Sequence, residues 1–134
     1  MAIQLSVTAR NNRLDSLETT VGTAAKLQIY TGSMPANCAT AASGTKLIEI
    51  TLASDWAGAA SGGQKSLSGT PSSTGLAAGT AGYFRLVDNA GTTCHLQGTC
   101  TATGGGGDMT LDNTSIAPGQ TVNVTSFTLT DGNA

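Results

Sequence analysis

The sequence predicts a mostly β protein, a single β-sandwich or jelly-roll-like domain with one short N-terminal helix. Three observations predict it. Helical periodicity occurs only near the N-terminus. After Gly22 the apolar residues alternate over short runs, as half-buried strands require. Those runs are bounded by small residues and turn formers, with 18 glycines among 134 residues. About seven short strands with Thr-rich edges and Gly-rich turns fit a two-layer β architecture.

The elements follow in order. Ile3, Val7, Leu14, Leu17 and Val21 recur at helical spacing and Gly22 supplies a stop, so a helix is expected over roughly Val7 to Val21. Arg10, Arg13, Asp15 and Glu18 fall on its wetter side. Residues 1–22 thus form a helical segment suited to inter-subunit contact, and residues 23–134 the β domain. "AKLQIYTG" puts Leu27 and Ile29 on one face. "KLIEITLA" alternates Ile48, Ile50 and Leu52 against Leu47, Glu49 and Thr51. "SMPANCATAASG" between them reads as a long loop. From Ala57 to Gly82 a small-residue tract allows one short strand around Lys65–Ser68 and is otherwise loop.

"GYFRLVDNAGTTCHLQGTC" is the clearest hairpin. Phe84 and Leu86 point one way and Tyr83, Arg85 and Val87 the other. Cys94 and Leu96 are expected to share the core face of the return strand, with His95 on its opposite side. The glycine run Gly104–Gly107 reads as a mobile connector to a strand in "DMTLDN", and "IAPGQ" as a turn. In "TVNVTSFTLT", Val122 and Val124 share one phase and Phe127 and Leu129 the other, which predicts a β-bulge near Ser126.

Composition excludes several function classes. Only 10% of residues are charged, against about 25% in an average soluble protein. Six bases and eight acids are scattered along the chain for a net charge of −2. No basic run is present to neutralise phosphates, and aromatics are too few for a base-stacking surface, so nucleic-acid binding is not expected. Met1 is followed by neither a charged n-region nor an apolar h-region, and no apolar run approaches the roughly 18 residues of a membrane span. A chain made in the cytoplasm without a signal peptide is the expectation. Reduced, buried thiols are then expected at Cys38, Cys94 and Cys100, and no membrane association.

The stretch from Thr92 to Asn113 concentrates the residues that chemistry would use. Cys38, Cys94, His95 and Cys100 supply four soft ligands, the number a structural zinc takes, but paired ligands are usually separated by two to four residues. Cys94 and Cys100 have five between them, and neighbouring strand residues such as Cys94 and His95 leave opposite faces. A Cys–His nucleophile fails for the same reason. "GGGGD" lacks the Lys-Ser/Thr of a phosphate loop, and the aspartates lack EF-hand spacing. No carboxylate pair stands out for glycoside hydrolysis. The sequence therefore predicts no enzyme, no metal and no cofactor.

Trp56, the only tryptophan, reads as a core or interface anchor rather than a sugar-stacking platform. Ile3, Leu5, Val7, Arg10 and Trp56 are the interface candidates.

The stretches "ARNNRLDSLETTVG", "AKLQIYTGSMPANC", "LASDWAGAASG", "AGYFRLVDNAGTTCHLQGT" and "GGGGDMTLDNTSIAPGQTVNVTSFTLT" cover nearly the whole chain. In these stretches the sequence resembles a family of small virion proteins encoded beside the major capsid gene of tailed bacteriophages and prophages. The resemblance implies a capsid cement, or head decoration, protein. It implies a homotrimer or homodimer on the outer capsid surface, with the major capsid protein as partner and no catalytic residues. A neck or tail structural protein shares the same pattern. A carbohydrate-binding β-sandwich is the other alternative, and it would need a row of exposed aromatics from Trp56, Tyr30 and Tyr83.

Overall fold

The computed structural model describes residues 3–132. Among the described residues one helix, α1 (Val7–Val21), precedes nine strands. These are β1 (Lys26–Thr31), β2 (Lys46–Thr51), β3 (Gln64–Ser66), β4 (Ser72–Thr74), β5 (Gly79–Val87), β6 (Cys94–Ala102), β7 (Met109–Leu111), β8 (Ser115–Ile116) and β9 (Thr121–Thr130). The expected β-rich single domain with an N-terminal helix is what the chain forms.

The nine strands belong to one sheet. The strand order is β2-β1-β5-β6-β7-β9-β3, with β4 added on β9 and β8 on β5. Strand twist and a series of bulges curl this sheet into a half-barrel. Register shifts interrupt β1–β2 at Ile29/Tyr30, β5–β6 at Leu86/Val87 and β7–β9 at Thr110/Leu111. Just after β4, the Leu76 amide donates to the Leu47 carbonyl of β2 at 2.8 Å. One core fills the curl, with Leu27, Ile29, Ile48, Phe84, Leu86, Met109, Leu111, Val122 and Trp56 all buried. Phe84 and Phe127 meet edge to face there, with ring centroids 5.1 Å apart.

Helix α1 matches its expected limits. Ser6 caps it by accepting from the Ala9 amide at 3.1 Å, and Gly22 ends it at φ 93°, where a side chain would be strained. Its core face runs through Arg10, Leu14, Leu17 and Val21, at helical spacing. This corrects the wet side assigned to Arg10: the apolar stripe continues through the arginine stem rather than through Val7, which is 48% exposed.

The bulges account for most departures from simple alternation. In β9, Ser126 pairs with Thr110 and Val124 with Leu111, so Thr125 is the extra residue and the bulge lies where the phase change put it. Val122, Val124 and Phe127 all reach the core as a result. Leu47 was assigned to the outer face of β2. It is skipped between the pairs Ile29–Ile48 and Tyr30–Lys46, and it is fully buried.

The Ala57–Gly82 tract holds more structure than the single strand expected. Besides β3 it contains β4, and β5 already starts at Gly79; β3 and β4 both pair with β9. The glycine run is not a loose connector either. It returns the chain so that β7 pairs parallel to β6, Cys100 against Met109. The turn is tied by the Gly107 amide donating to Thr101 Oγ1 at 3.0 Å and the Asp108 amide donating to Thr99 Oγ1 at 3.2 Å. A Cβ at Gly105 or Gly107 would strike Thr101, which is why small residues fill this turn.

Candidate functional site

The face of β5 opposite Phe84 and Leu86 carries Tyr83, Arg85 and Val87, and all three are buried. The long loop between β1 and β2 lies over them. Tyr83 Oη accepts from the Ser43 amide at 3.0 Å and donates to the Ser43 carbonyl. Gln97 Nε2 donates to the Pro35 carbonyl at 2.8 Å. Arg85 Nη2 donates to the carbonyls of Cys38 and Thr40, both at 2.8 Å. The guanidinium thus holds the loop through its backbone, as a fork with several donors can.

Arg85 also donates from Nε to Cys94 Sγ at 3.2 Å. Cys94 was expected in the core beside Leu96. Leu96 does pair with Leu86, but Cys94 pairs with Val87, leaving His95 as the bulged residue. The bulge carries Cys94 onto the Arg85 face. Its thiol donates to the Leu96 carbonyl at 3.4 Å. A cavity of about 240 Å³ remains beneath the loop, lined by Gln28, Tyr30, Cys38, Thr40, Arg85 and Cys94 among others. Cys38 and Cys94 are half-buried, not fully buried as expected.

A polar chain borders this cavity. Lys46 and Lys26 pair with Glu49 at 2.9 and 3.6 Å, and Glu49 accepts from Gln28 Nε2 at 2.9 Å. Gln28 Oε1 accepts from Tyr30 Oη at 2.9 Å, and the Tyr30 ring stacks on Tyr83 at 5.3 Å. The Lys46 contact, followed by Gln28, holds the Glu49 carboxyl below its ordinary range. Burial pushes the Tyr30 phenol up. Cys100 lies apart, buried in the core, where desolvation and then the Asp108 charge push its thiol up to about 12.

A second polar cluster fixes the helix. Lys65 in β3 has a side chain only 1% exposed, and its Nζ meets Asp15 Oδ1 at 2.8 Å and Glu18 Oε2 at 2.7 Å. It also donates to the Gly58 carbonyl at 2.8 Å. Burial alone would lower the Lys65 pKa; hydrogen bonds to Asp15 and Glu18 more than offset it and hold the amine charged. Asp15 is pulled low by Lys65 first and by the Ala60 amide second. Asn11 Oδ1 accepts from the Gly63 amide at 2.9 Å, and Arg13 pairs with Asp131 at 3.1 Å.

The interface candidates divide into two groups. Ile3 is 60% exposed, Val7 is exposed and Leu5 is half-buried. Arg10 and Trp56 are buried within the chain, which corrects their assignment to an interface. Arg10 donates to the Asp131 carbonyl at 3.2 Å, and Trp56 Nε1 donates to the Gly22 carbonyl at 3.0 Å. From Arg10 to Val21 the apolar side of the helix is used up on its own domain and the outward residues are polar, so its exposed apolar side chains lie at its start and in the residues before it. Met1 and Ala2, the beginning of the proposed contact segment, lie outside the described residues.

Trp56, Tyr30 and Tyr83 form no exposed row, since Trp56 and Tyr83 are buried and Tyr30 stacks on Tyr83. Sequence reading missed two exposed apolar side chains, Met34 and Leu76. Both lie in loops without periodicity, where no pattern marks them. No cluster of three or more His, Cys, Asp or Glu side chains suited to a metal occurs among the described residues. No described helix is long and apolar enough to cross a membrane. No known protein family, curated protein or solved structure matches the chain.

Proposed function

We propose that this chain is a virion structural protein of a tailed bacteriophage, a capsid cement protein that binds the assembled head from outside through several weak contacts per oligomer. The observation that carries the reading is where the charges go. All six bases bind the chain's own acids, carbonyls or thiol: Arg10 and Arg13 at Asp131, Lys26 and Lys46 at Glu49, Lys65 at the helix, Arg85 at the loop. What remains outside is mostly hydroxyls, amides and small apolar groups, with a few scattered charges such as Asp55, Asp112 and the paired Arg13 among them. Such a surface resists no close packing of copies by charge and suits an inert component of a crowded shell.

Attachment in this reading is multivalent. Two or three copies, joined as a homodimer or homotrimer, each touch the major capsid protein weakly, and linkage converts weak sites into firm attachment. Binding to the assembled head and not to its separated subunits stabilises the shell by mass action. Ile3, Leu5 and Val7 are the contact residues, because they stand outside the helix face that the domain buries. The resemblance of the sequence to virion proteins supports the same reading.

Quantifying this chain by mass spectrometry in purified particles of a phage that encodes it tests the proposal. A copy number comparable to the major capsid protein is expected. A copy number many-fold lower assigns the chain to a neck or tail, and absence from the particle overturns the reading. Removing residues 1–5 should lower occupancy on the head while leaving the fold intact, because the Ser6 cap and the buried helix face are retained. Undiminished occupancy would remove the N-terminal segment from the contact.

A further inference from the structure

Cys38 and Cys94 come from parts of the chain far apart in sequence, yet they line one cavity and flank one guanidinium. Arg85 Nε reaches Cys94 Sγ at 3.2 Å while Nη2 of the same side chain reaches the Cys38 carbonyl at 2.8 Å. Neither thiol is locked in the core; both are half-buried. The third thiol, Cys100, is buried on the other side of the sheet among core residues. The loop carrying Cys38 is pinned through Pro35, Cys38, Thr40 and Ser43, so the fold keeps both cysteines on the one cavity they line.

We propose that Cys38 and Cys94 form a redox-active pair that closes to a disulfide when a small-molecule disulfide is available, covalently fastening the β1–β2 loop to β6. The chemistry needs only what the site holds and that oxidant. Cys94, whose Sγ stands 3.2 Å from Arg85 Nε, reacts as the thiolate, its proton passing to solvent. The thiolate attacks one sulfur of the small-molecule disulfide, forming a mixed disulfide and releasing one thiol. Cys38, deprotonated in turn, attacks Cys94 Sγ; the Cys38–Cys94 bond forms and the second small thiol leaves. Two protein thiols are oxidised, and one small-molecule disulfide is reduced to two thiols.

The local electrostatics give the order of steps. Burial first, and then the neighbouring Cys94 sulfur, raise the Cys38 thiol, while the Arg85 charge opposes this. Cys94 is the partner in direct contact with the guanidinium, so it is the attacking thiol and Cys38 the resolving one. The bond would close a long loop of chain, which constrains the unfolded state strongly. The inference stands apart from the proposed function, because it concerns the isolated chain in any compartment.

The full chain, purified under reductant, is incubated with oxidised glutathione and its thiols are then blocked with iodoacetamide. Intact mass should show a loss of about 2 Da and one remaining alkylation, at Cys100 after unfolding. Peptide mapping should join the segment containing Cys38 to the one containing Cys94; C100A removes the ambiguity of Cys94 and Cys100 sharing a tryptic peptide. The oxidised chain should melt higher, by about 5–10 °C. C38S should stop at the glutathione adduct on Cys94, and Arg85→Gln should slow closure at least several-fold. Three alkylatable thiols, a bond that includes Cys100, or glutathione adducts without closure in the wild-type chain would each overturn the proposal.

Discussion

Replacing Lys65 with methionine tests whether the helix belongs to the domain through a charged latch or through apolar packing alone. Methionine preserves most of the stem and removes the ammonium, so packing changes little. The variant loses the 2.7 Å contact to Glu18 and the 2.8 Å bond to the Gly58 carbonyl. A hydrogen bond to a charged group contributes about 1.5–3 kcal/mol, and the lower end applies because Glu18 is still 21% exposed. The carbonyl left without its donor costs about 1 kcal/mol more. The Asp15 contact adds no weight, since that carboxylate is 45% exposed and water replaces the lysine. K65M is therefore expected to destabilise by about 2–3 kcal/mol, less than the roughly 3–5 kcal/mol of a fully buried broken pair.

Urea denaturation of wild type, K65M, E18Q and the double variant supplies the assay. E18Q should cost at least about 1 kcal/mol less in the K65M background than alone, because the partner is already gone. Amide exchange should show α1 losing protection before β5. The pH signs follow from the shifts. The raised Lys65 pKa adds stability that is complete below the free-lysine value and lost as pH rises through the folded value. K65M should lack that alkaline loss. A K65M change within about 0.5 kcal/mol, or strict additivity with E18Q, would refute the latch.

Three further outcomes are expected. W56F should lose about 1–2 kcal/mol by orphaning the Gly22 carbonyl, and W56A about 3–5 kcal/mol by opening a cavity beside the helix end; a W56A loss below 1 kcal/mol contradicts a core role. Asp88 is pulled low by the Thr92 and Thr93 amides and Asp112 by Asn123. Their stability is present above the ordinary carboxylate range and lost as pH falls below about 4, so Tm should drop there, less steeply in D112N; a Tm that climbs into acid contradicts it. Cys100, pushed up to about 12, should resist iodoacetamide at about pH 8 until the chain unfolds, and prompt native labelling would place it outside the core.

Periodicity made some of this legible and bulges hid the rest. The helix limits, the β5–β6 hairpin and the bulge at Thr125 follow from spacing, because one face of each element is buried in a single core. Leu47 and Cys94 do not, since one extra residue turns a side chain to the other face. β4 and β8 escape notice for a different reason: they are three and two residues long and offer no run of alternating apolar residues, so pairing with β9 and β5 defines them. The burial of Arg85 was equally hidden. It depends on a loop more than forty residues away folding over β5, and loop closure leaves no periodic trace. The Cys38–Cys94 cavity emerges only from that closure.

If the chain attaches to heads as proposed, the distribution of its six bases predicts how that attachment responds to salt. A protein that docks by complementary charge loses affinity as ions screen the contact beyond about 8–10 Å. Here the bases serve the interior: Lys65 and Arg10 hold the helix, Lys26 and Lys46 hold Glu49, and Arg85 holds the β1–β2 loop. Arg13, 60% exposed, is already paired with Asp131. Little basic charge is left to steer a partner, so under the proposed reading recognition would rest on short-range contacts such as those of Ile3 and Val7, which salt strengthens rather than screens. Occupancy on purified heads should therefore hold or rise as sodium sulfate is added, while mild detergent should lower it. A steep fall in occupancy with salt would mean that the acids, eight against six bases, steer docking onto a basic partner surface, and the neutral-surface reading would fail.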